Sequence, residues 1–213
     1  MTDGPTNPSP MPGVPASLVD RVKNILVSPK TEWPRIDAEP ATIQGMYTGY
    51  VMILAAIPAI AGLIGQQLMM GVLTPSLNYS IGTTVIGYVM SLVAVYVLAF
   101  IIDILAPTFG GARDMTKSFK VAAYSYTPAW VLGIFSIIPM LGMLAGLAGM
   151  IYCAYLLYLG LGLLKRVGED KAVGYTVAVI VALIVLYFVI AAIVGVLVMS
   201  FFGAAIMAGA GAY

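Results

Sequence analysis

Charged residues and long uncharged apolar stretches alternate along this chain. The charges fall into three clusters, Asp3–Glu39, Asp103–Lys120 and Lys165–Lys171, and the uncharged stretches that follow them contain 63, 44 and 42 residues. A bilayer core is crossed by about 20 apolar residues in a helix, so each of the first two stretches is long enough to cross twice. The pattern predicts a polytopic, all-α integral membrane protein.

Turn residues within the uncharged stretches divide them into five predicted transmembrane helices. Their approximate bounds are 42–64, 82–105, 121–138, 142–164 and 174–202. Proline lacks the backbone N–H that a helix interior needs, so Pro58 and Pro128 predict kinks in the first and third spans.

The distribution of basic residues predicts the orientation of these spans. Four Lys and Arg residues precede the first span, three lie between the second and third, and three lie between the fourth and fifth. All ten therefore fall on one side of a five-span model. Because an excess of Lys and Arg marks the cytoplasmic side, we expect a cytoplasmic N-terminus and an outer C-terminus in the inner (cytoplasmic) membrane.

The predicted membrane domain, 42–203, has a distinct segment on each side. Residues 1–16 are rich in proline and predict a disordered or extended tail. Residues 17–41 predict a cytoplasmic amphipathic or interfacial segment, and residues 204–213 predict an outer tail rich in glycine and alanine.

Apolar residues recur at helical spacing in the segment that precedes the first span. Leu18, Val22 and Ile25 share one face of a short helix, and Trp33 suits the headgroup level of a membrane. These four residues are predicted interfacial anchors of a helix that lies on the membrane. The alternative is a helix packed on the protein's own loops.

Composition limits the chemistry that the chain can perform. Hydrophobic residues make up 61% of it and charged residues 9%, and it contains no histidine and a single cysteine, Cys153. Catalysis by a Ser-His or Cys-His pair and a metal site of His and Cys ligands are therefore excluded. With a net charge of +1, the chain has no field to attract nucleic acid. We predict no enzyme activity, no catalytic residues, no cofactor, no metal and no nucleic-acid partner.

Asp103 is the one acidic residue close to a predicted span, about one turn from its cytoplasmic end. The structural interpretation is a charge pair at the helix end, with Arg113 or Lys117 as the partner. The alternative is a residue that carries protons or binds a cation, since acidic groups within the membrane mark ion pathways.

Tyrosines and small residues mark the predicted fourth span. Tyr152, Tyr155 and Tyr158 recur every third residue, and their hydroxyls predict hydrogen bonds between helices or, alternatively, a substrate path.

The same span carries glycines at close spacing. Gly142, Gly146 and Gly149 predict close packing within the bundle or against a partner's helix.

Several short phrases together resemble the prokaryotic branch of the Yip family (Ypt-interacting proteins), over about residues 17 to 200. They are Ser28-Pro29-Lys30-Thr31-Glu32-Trp33, Ala38-Glu39-Pro40, Ala122-Ala123-Tyr124-Ser125-Tyr126-Thr127-Pro128, Tyr155-Leu156-Leu157-Tyr158-Leu159-Gly160-Leu161 and Asp170-Lys171-Ala172-Val173-Gly174-Tyr175. The resemblance implies five helices and a cytoplasmic N-terminus. It also implies an association with Rab-type GTPases in eukaryotic members, a partner not expected here if the chain is bacterial.

Two functional hypotheses follow. The leading one is a non-enzymatic membrane protein that acts as an adaptor, an accessory subunit of a membrane assembly or a membrane organiser, through the lipid bilayer and helix–helix contacts with other membrane proteins. The alternative is a small transporter or channel that uses Asp103 and the three tyrosines.

Overall fold

The computed structural model describes residues 17–70 and 77–210. The predictions for the tail 1–16 and for residues 211–213 lie outside these ranges. Regular structure in the described ranges is helical throughout, with no strand. The predicted all-α class is therefore confirmed.

Two short helices precede the apolar helices. Helix α1 (Leu18–Val27) begins at Ser17, whose hydroxyl accepts a hydrogen bond from the Asp20 N–H at 3.2 Å. Ser28 ends α1 and directly precedes α2 (Pro29–Ala38), which starts with proline, the residue best suited to a first helical position. The two helices therefore follow each other with a turn of one residue.

Within the described ranges, four helical segments are long and apolar enough to cross a membrane: Ile43–Leu68, Tyr79–Phe109, Pro139–Leu164 and Glu169–Gly203. The first consists of α3 (Ile43–Met46), a π-helical turn (Tyr47–Val51) and α4 (Met52–Met70). The others contain α5 (Leu77–Leu105) with a 3₁₀ turn (Ala106–Phe109), α8 (Pro139–Leu164) and α9 (Glu169–Ala210). These four correspond to the predicted first, second, fourth and fifth spans.

The predicted third span is divided into three short helices. They are α6 (Met115–Ser125), α7 (Thr127–Leu132) and a 3₁₀ helix (Gly133–Ile137). The break lies just before Pro128, which cannot donate a backbone hydrogen bond. The hydroxyl of Thr127 bonds to the Tyr124 carbonyl at 2.8 Å and to the Tyr50 hydroxyl at 2.7 Å. A fifth membrane crossing by this segment stays a prediction.

Helix α6 lies at the centre of the molecule. Every residue from Ser118 to Ser125 is buried, and the helix packs against α5 and α8. The main core extends from α6 to buried residues of α2, the π-helical turn and α8. The N-terminal helices are therefore part of the same core as the apolar ones.

Helix α9 is anchored by its first turns. The Tyr175 hydroxyl donates to the carbonyl of Ile102, and the Tyr175 ring stacks on Phe109 with centroids 5.0 Å apart. Beyond Val179 the side chains described up to Phe202 are half-buried or exposed. The helix continues to Ala210, so most of the predicted tail 204–213 is helical.

Candidate functional site

Trp33 and Ile25 lie in the protein core and not in a lipid interface. Trp33 is 1% exposed and Ile25 is fully buried, while Leu18 and Val22 are partly buried against the same core. The prediction that Trp33 and Ile25 are interfacial anchors is wrong, because α1 and α2 pack their apolar faces onto the bundle. This arrangement matches the alternative of a helix packed on the protein itself.

Gly160 of α8 provides the space for the Trp33 ring. A Cβ at Gly160 would lie 2.8 Å from the ring, so any larger residue there forces one of the two to move. The Trp33 ring also meets Tyr124 of α6 edge to face, with centroids 6.5 Å apart. Trp33 therefore joins α2, α6 and α8, a role for which the sequence offers one signal, a glycine in an otherwise bulky run.

Arg21 is the centre of a buried charge cluster at the junction of α1 and α2. Its guanidinium donates one hydrogen bond to Glu32 and another to Glu39, and it lies 5.6 Å from the centre of the Tyr124 ring. Burial acts to lower the pKa of Arg21, but the hydrogen bond and negative charge of Glu39 outweigh it, so the pKa is raised. Arg21 is thus held fully charged within the fold.

Lys120 ties the end of α2 to α6. Its ammonium donates to the carbonyls of Ile36 and Glu39, each at 2.6 Å, and the residue is 4% exposed. This buried lysine was not among the residues singled out in the sequence.

Asp103 pairs with Lys165 at the C-terminal end of α8, and not with Arg113 or Lys117 as expected. The Lys165 ammonium lies 3.1 Å from Asp103 Oδ1 and 2.8 Å from the Ser118 hydroxyl. The partner predicted from sequence proximity is wrong because Lys117 instead faces Asp37, at 2.7 Å. Within the described ranges, Arg113 makes no ion pair with Asp103.

The same carboxylate joins the ends of three helices. Asp103 Oδ1 accepts hydrogen bonds from the Asp114 N–H at 2.7 Å and from the Ser118 hydroxyl at 3.0 Å. Asp114 in turn accepts from the Lys117 N–H at 2.9 Å and caps the start of α6. The cluster therefore fixes α5, α6 and α8 relative to one another.

The tyrosines of α8 do not form a continuous polar path. The Tyr152 hydroxyl donates to the Leu26 carbonyl of α1 at 2.7 Å, Tyr155 is exposed and Tyr158 is partly buried against the core. The hydrogen bond of Tyr152 fits the helix–helix role that the sequence suggested. None of the three contacts Asp103 by a hydrogen bond among the described residues.

The three predicted small residues of α8 lie on two different surfaces. A Cβ at Gly142 would lie 2.9 Å from the Ser136 backbone, and one at Gly149 would lie 3.4 Å from Ala129. Gly142 and Gly149 therefore pack against the divided segment, by which we mean α6, α7 and the 3₁₀ helix that follows them (residues 115–137). A Cβ at Gly146 would meet no atom of the described residues within 4 Å, so this glycine faces outward.

Large exposed apolar side chains surround Gly146. Met143 and Met150 are each 63% exposed and Leu147 is 54% exposed, at spacings that place them on one helical face with the glycine. We call Met143, Gly146, Leu147 and Met150 the α8 outer face. Flexible methionines around a small residue allow close and adaptable contact with another helix.

A cleft lies where α1 meets the start of the first apolar helix. Its cavity volume is about 520 Å³, and it is widely open to the surroundings. It is lined by Leu18, Arg21, Glu39, Pro40, Ala41, Thr42, Gly45, Met46, Gly49, Tyr50 and Tyr124. Neither Asp103 nor any of the three α8 tyrosines contributes to this lining.

Comparison with known proteins places the fold in context. The family model described as the Yip1 domain matches residues 23–193. Inner membrane protein YohC of Escherichia coli strain K12 is 25% identical over 167 residues, which cover 74% of this chain and 85% of YohC. YohC of Escherichia coli O6:H1 strain CFT073 gives the same values. No solved structure matches the chain.

Proposed function

Because this chain belongs to the Yip family through its Yip1 domain, we propose that it is a non-enzymatic adaptor or accessory subunit of a membrane assembly. Its partner is a transmembrane helix of another membrane protein, which packs on the α8 outer face. A Rab-type GTPase is not part of the proposal, since the relatives reported above are proteins of Escherichia coli.

The exposed methionines and leucine that surround the outward-facing Gly146 carry this proposal. Gly142 and Gly149 are small because backbone of the same molecule approaches them, whereas no such neighbour limits the size of residue 146. Glycine in a helix interior is less favourable than alanine by about 0.5–1 kcal/mol. Close contact with a second helix explains a glycine at position 146, whereas packing within the protein does not.

Substitution of Gly146 by leucine separates partner binding from folding. We expect Gly146→Leu to keep the thermal stability of the wild type, because the added side chain has open space. We also expect partner association to weaken about tenfold or more, since a bulky side chain separates backbones that small residues hold close. Copurification from native membranes in mild detergent, with quantitative mass spectrometry of the captured membrane proteins, measures the association.

Gly149→Leu is the matched comparison on the same helix. Its side chain must enter the contact with Ala129 and Leu132, so we expect a clear loss of thermal stability. Unchanged partner capture by Gly146→Leu would show that the α8 outer face contacts only lipid. Recovery of the wild type as a lone monomer at native expression level would also contradict the adaptor proposal.

The proposal includes five crossings with a cytoplasmic N-terminus, the divided segment providing the third. All ten basic residues lie on one side in that arrangement, which supports it. A reporter enzyme that works only outside the cytoplasm should then be active when it is fused after Tyr213. A reporter that works only in the cytoplasm should be inactive at the same position. Activity of a cytoplasm-dependent reporter at the same position would indicate an even number of crossings.

The transporter hypothesis receives less support from the geometry. It requires Asp103 and the α8 tyrosines to line one polar passage. Asp103 is instead bonded to Lys165 and Ser118, and Tyr152 is bonded to α1. These groups have structural partners in the described residues, so we do not propose a transport path through them.

A further inference from the structure

The cleft beside α1 combines a charged floor with apolar walls. Arg21 and Glu39 supply the charges, and Leu18 and Met46 are among the apolar residues of the lining. A volume of about 520 Å³ is typical of small-molecule sites, which have mostly apolar linings and a few polar groups. The adaptor proposal does not use this cleft, which lies on residues distinct from the α8 outer face.

The charged floor has capacity for both an anion and a cation. Arg21 donates one N–H of its first terminal nitrogen to Glu32 and one N–H of its second terminal nitrogen to Glu39. A guanidinium has five N–H donors, so these two bonds do not use all of them. The Glu39 side chain is 19% exposed, and Arg21 binds only its Oε2 atom. The Arg21 side chain is 4% exposed and lines the cleft, so an anionic group can contact its remaining donors only from within the cleft, while a cationic group approaches Glu39.

The charge balance favours a ligand that carries both signs. Two carboxylates, Glu32 and Glu39, already surround Arg21. A ligand with only negative charge would be attracted by Arg21 and repelled by these two groups. A zwitterion can align its phosphate with Arg21 and its ammonium with Glu39, both of which line the cleft.

The walls of the cleft are open enough for such a ligand because the helix there is irregular. The π-helical turn Tyr47–Val51 widens the start of the first apolar helix, and such turns are frequent at functional sites. Gly49 lies in this turn and lines the cleft, and a Cβ at this position would have no heavy-atom neighbour within 4 Å. Backbone is therefore accessible along this wall.

The place of the cleft on a membrane-spanning candidate, with exposed apolar residues close in sequence to its lining, indicates that the ligand is a lipid. Val19 of α1 is 71% exposed, and Ile53, just beyond the π-helical turn, is 49% exposed. The cleft lies at the start of the first membrane-spanning candidate, Ile43–Leu68, where a headgroup and the upper part of an acyl chain would meet the protein. We propose that this cleft binds the headgroup of a zwitterionic aminophospholipid of the phosphatidylethanolamine type.

A substitution at Gly49 tests the proposal without disturbing the protein interior. Gly49 lines the cleft, and no described heavy atom lies within 4 Å of a Cβ built there, so a leucine side chain has room to occupy space beside the headgroup. Gly62→Leu is the matched control, because Gly62 lies in α4 and has equally open surroundings but does not line the cleft. Glu39→Gln removes the negative charge with little change in shape.

The experiment measures the thermal stability of the purified full-length protein in detergent after addition of lipid. Phosphatidylethanolamine and phosphatidylglycerol with identical acyl chains are compared at equal concentrations, with soluble phosphoethanolamine as a third arm. We expect phosphatidylethanolamine to raise the melting temperature of the wild type and of Gly62→Leu by about 3 °C or more. Gly49→Leu should lose this rise, and Glu39→Gln should lose the preference over phosphatidylglycerol.

Three results would overturn the proposal. Equal stabilisation of the wild type by both lipids, or full retention of the rise in Gly49→Leu, would indicate only general lipid solvation of the bundle. A rise of the same size with soluble phosphoethanolamine would assign the cleft to a soluble ligand. Should Gly49→Leu fail to fold, a photoactivatable phosphatidylethanolamine on the wild type decides: labelling at Leu18 or Met46 supports the site, and labelling restricted to the outer helix surfaces contradicts it.

Discussion

Replacement of Trp33 by alanine is expected to lower the free energy of unfolding by about 3–5 kcal/mol, the usual range for a large buried aromatic residue. The ring is 1% exposed and connects α2 with α6 and α8, so its removal leaves a cavity at the junction of three helices. Reversible denaturation in mixed micelles, followed by far-UV circular dichroism, measures the change.

Gly160 provides a sensitive test of the same contact. Gly160→Ala alone should destabilise by about 1–3 kcal/mol because its Cβ would overlap the Trp33 ring. In the Trp33→Ala background the same methyl group has room, so the cost of Gly160→Ala should disappear. Gly146→Ala is the control and should be neutral or slightly stabilising, since its surroundings are open. Additive effects of Trp33→Ala and Gly160→Ala would disprove the direct contact.

Loss of the carboxylate of Asp103 is expected to destabilise the protein by about 3 kcal/mol, the low end of the range for breaking a buried ion pair. The reason is Lys165, whose side chain is fully buried, so Asp103→Asn would leave its ammonium without a counter-charge. An exposed pair at the helix end, as the sequence suggested, would have contributed only about 0–1 kcal/mol. Chemical denaturation of the variant and the wild type in the same micelle measures the difference.

A double variant and a surface pair test whether burial is the cause. Asp103→Asn combined with Lys165→Met removes both charges and should recover part of the lost stability. Asp37→Asn removes the partner of Lys117, whose side chain is 26% exposed, and should have a small effect. If Asp103→Asn is as mild as Asp37→Asn, the buried charge of Lys165 is compensated by its bonds to Ser118 and the Asp114 carbonyl.

Hydrophobic periodicity and charge gaps were sufficient to predict the helical class and the approximate positions of four of the apolar helices. The helical class and these positions can be read from local sequence, because a continuous apolar run of about 20 residues is enough to indicate a membrane-spanning helix. The divided segment 115–137 was harder to predict. Pro128 predicted a kink there, but the break also depends on the Thr127 and Tyr50 hydroxyls, which lie 77 residues apart in sequence.

The partners of the charged residues could not be predicted either, because they lie far apart in the sequence. Lys165 lies 62 residues from Asp103, whereas Arg113 and Lys117 are close in sequence and were therefore the natural candidates. The ion pairs of Arg21 with Glu32 and Glu39 likewise depend on how α2 folds back against α1. An amphipathic pattern predicts that α1 has an apolar face, but it does not distinguish a lipid surface from the surface of the bundle.

Four of the five phrases that resemble the Yip family meet in one region of the structure. Trp33, Glu39, Tyr124 and Gly160 each belong to a different phrase, and they are joined by the contacts of Trp33 and Arg21. The resemblance therefore follows a packing junction between the N-terminal helices and the bundle. The α8 outer face and Gly49 of the cleft lie outside those phrases.

Burial of basic residues has a consequence for the order of events during biogenesis. Lys120 and Lys165 belong to the ten cations on which the proposed orientation rests, yet each is at most 4% exposed in the folded chain. A cation can retain its flanking segment on one side of a membrane only while water and anionic headgroups can reach it. In the proposed topology these two residues therefore act on orientation while the helices are being inserted, and in the folded chain the same charges bond to α2 and to Asp103 inside the bundle.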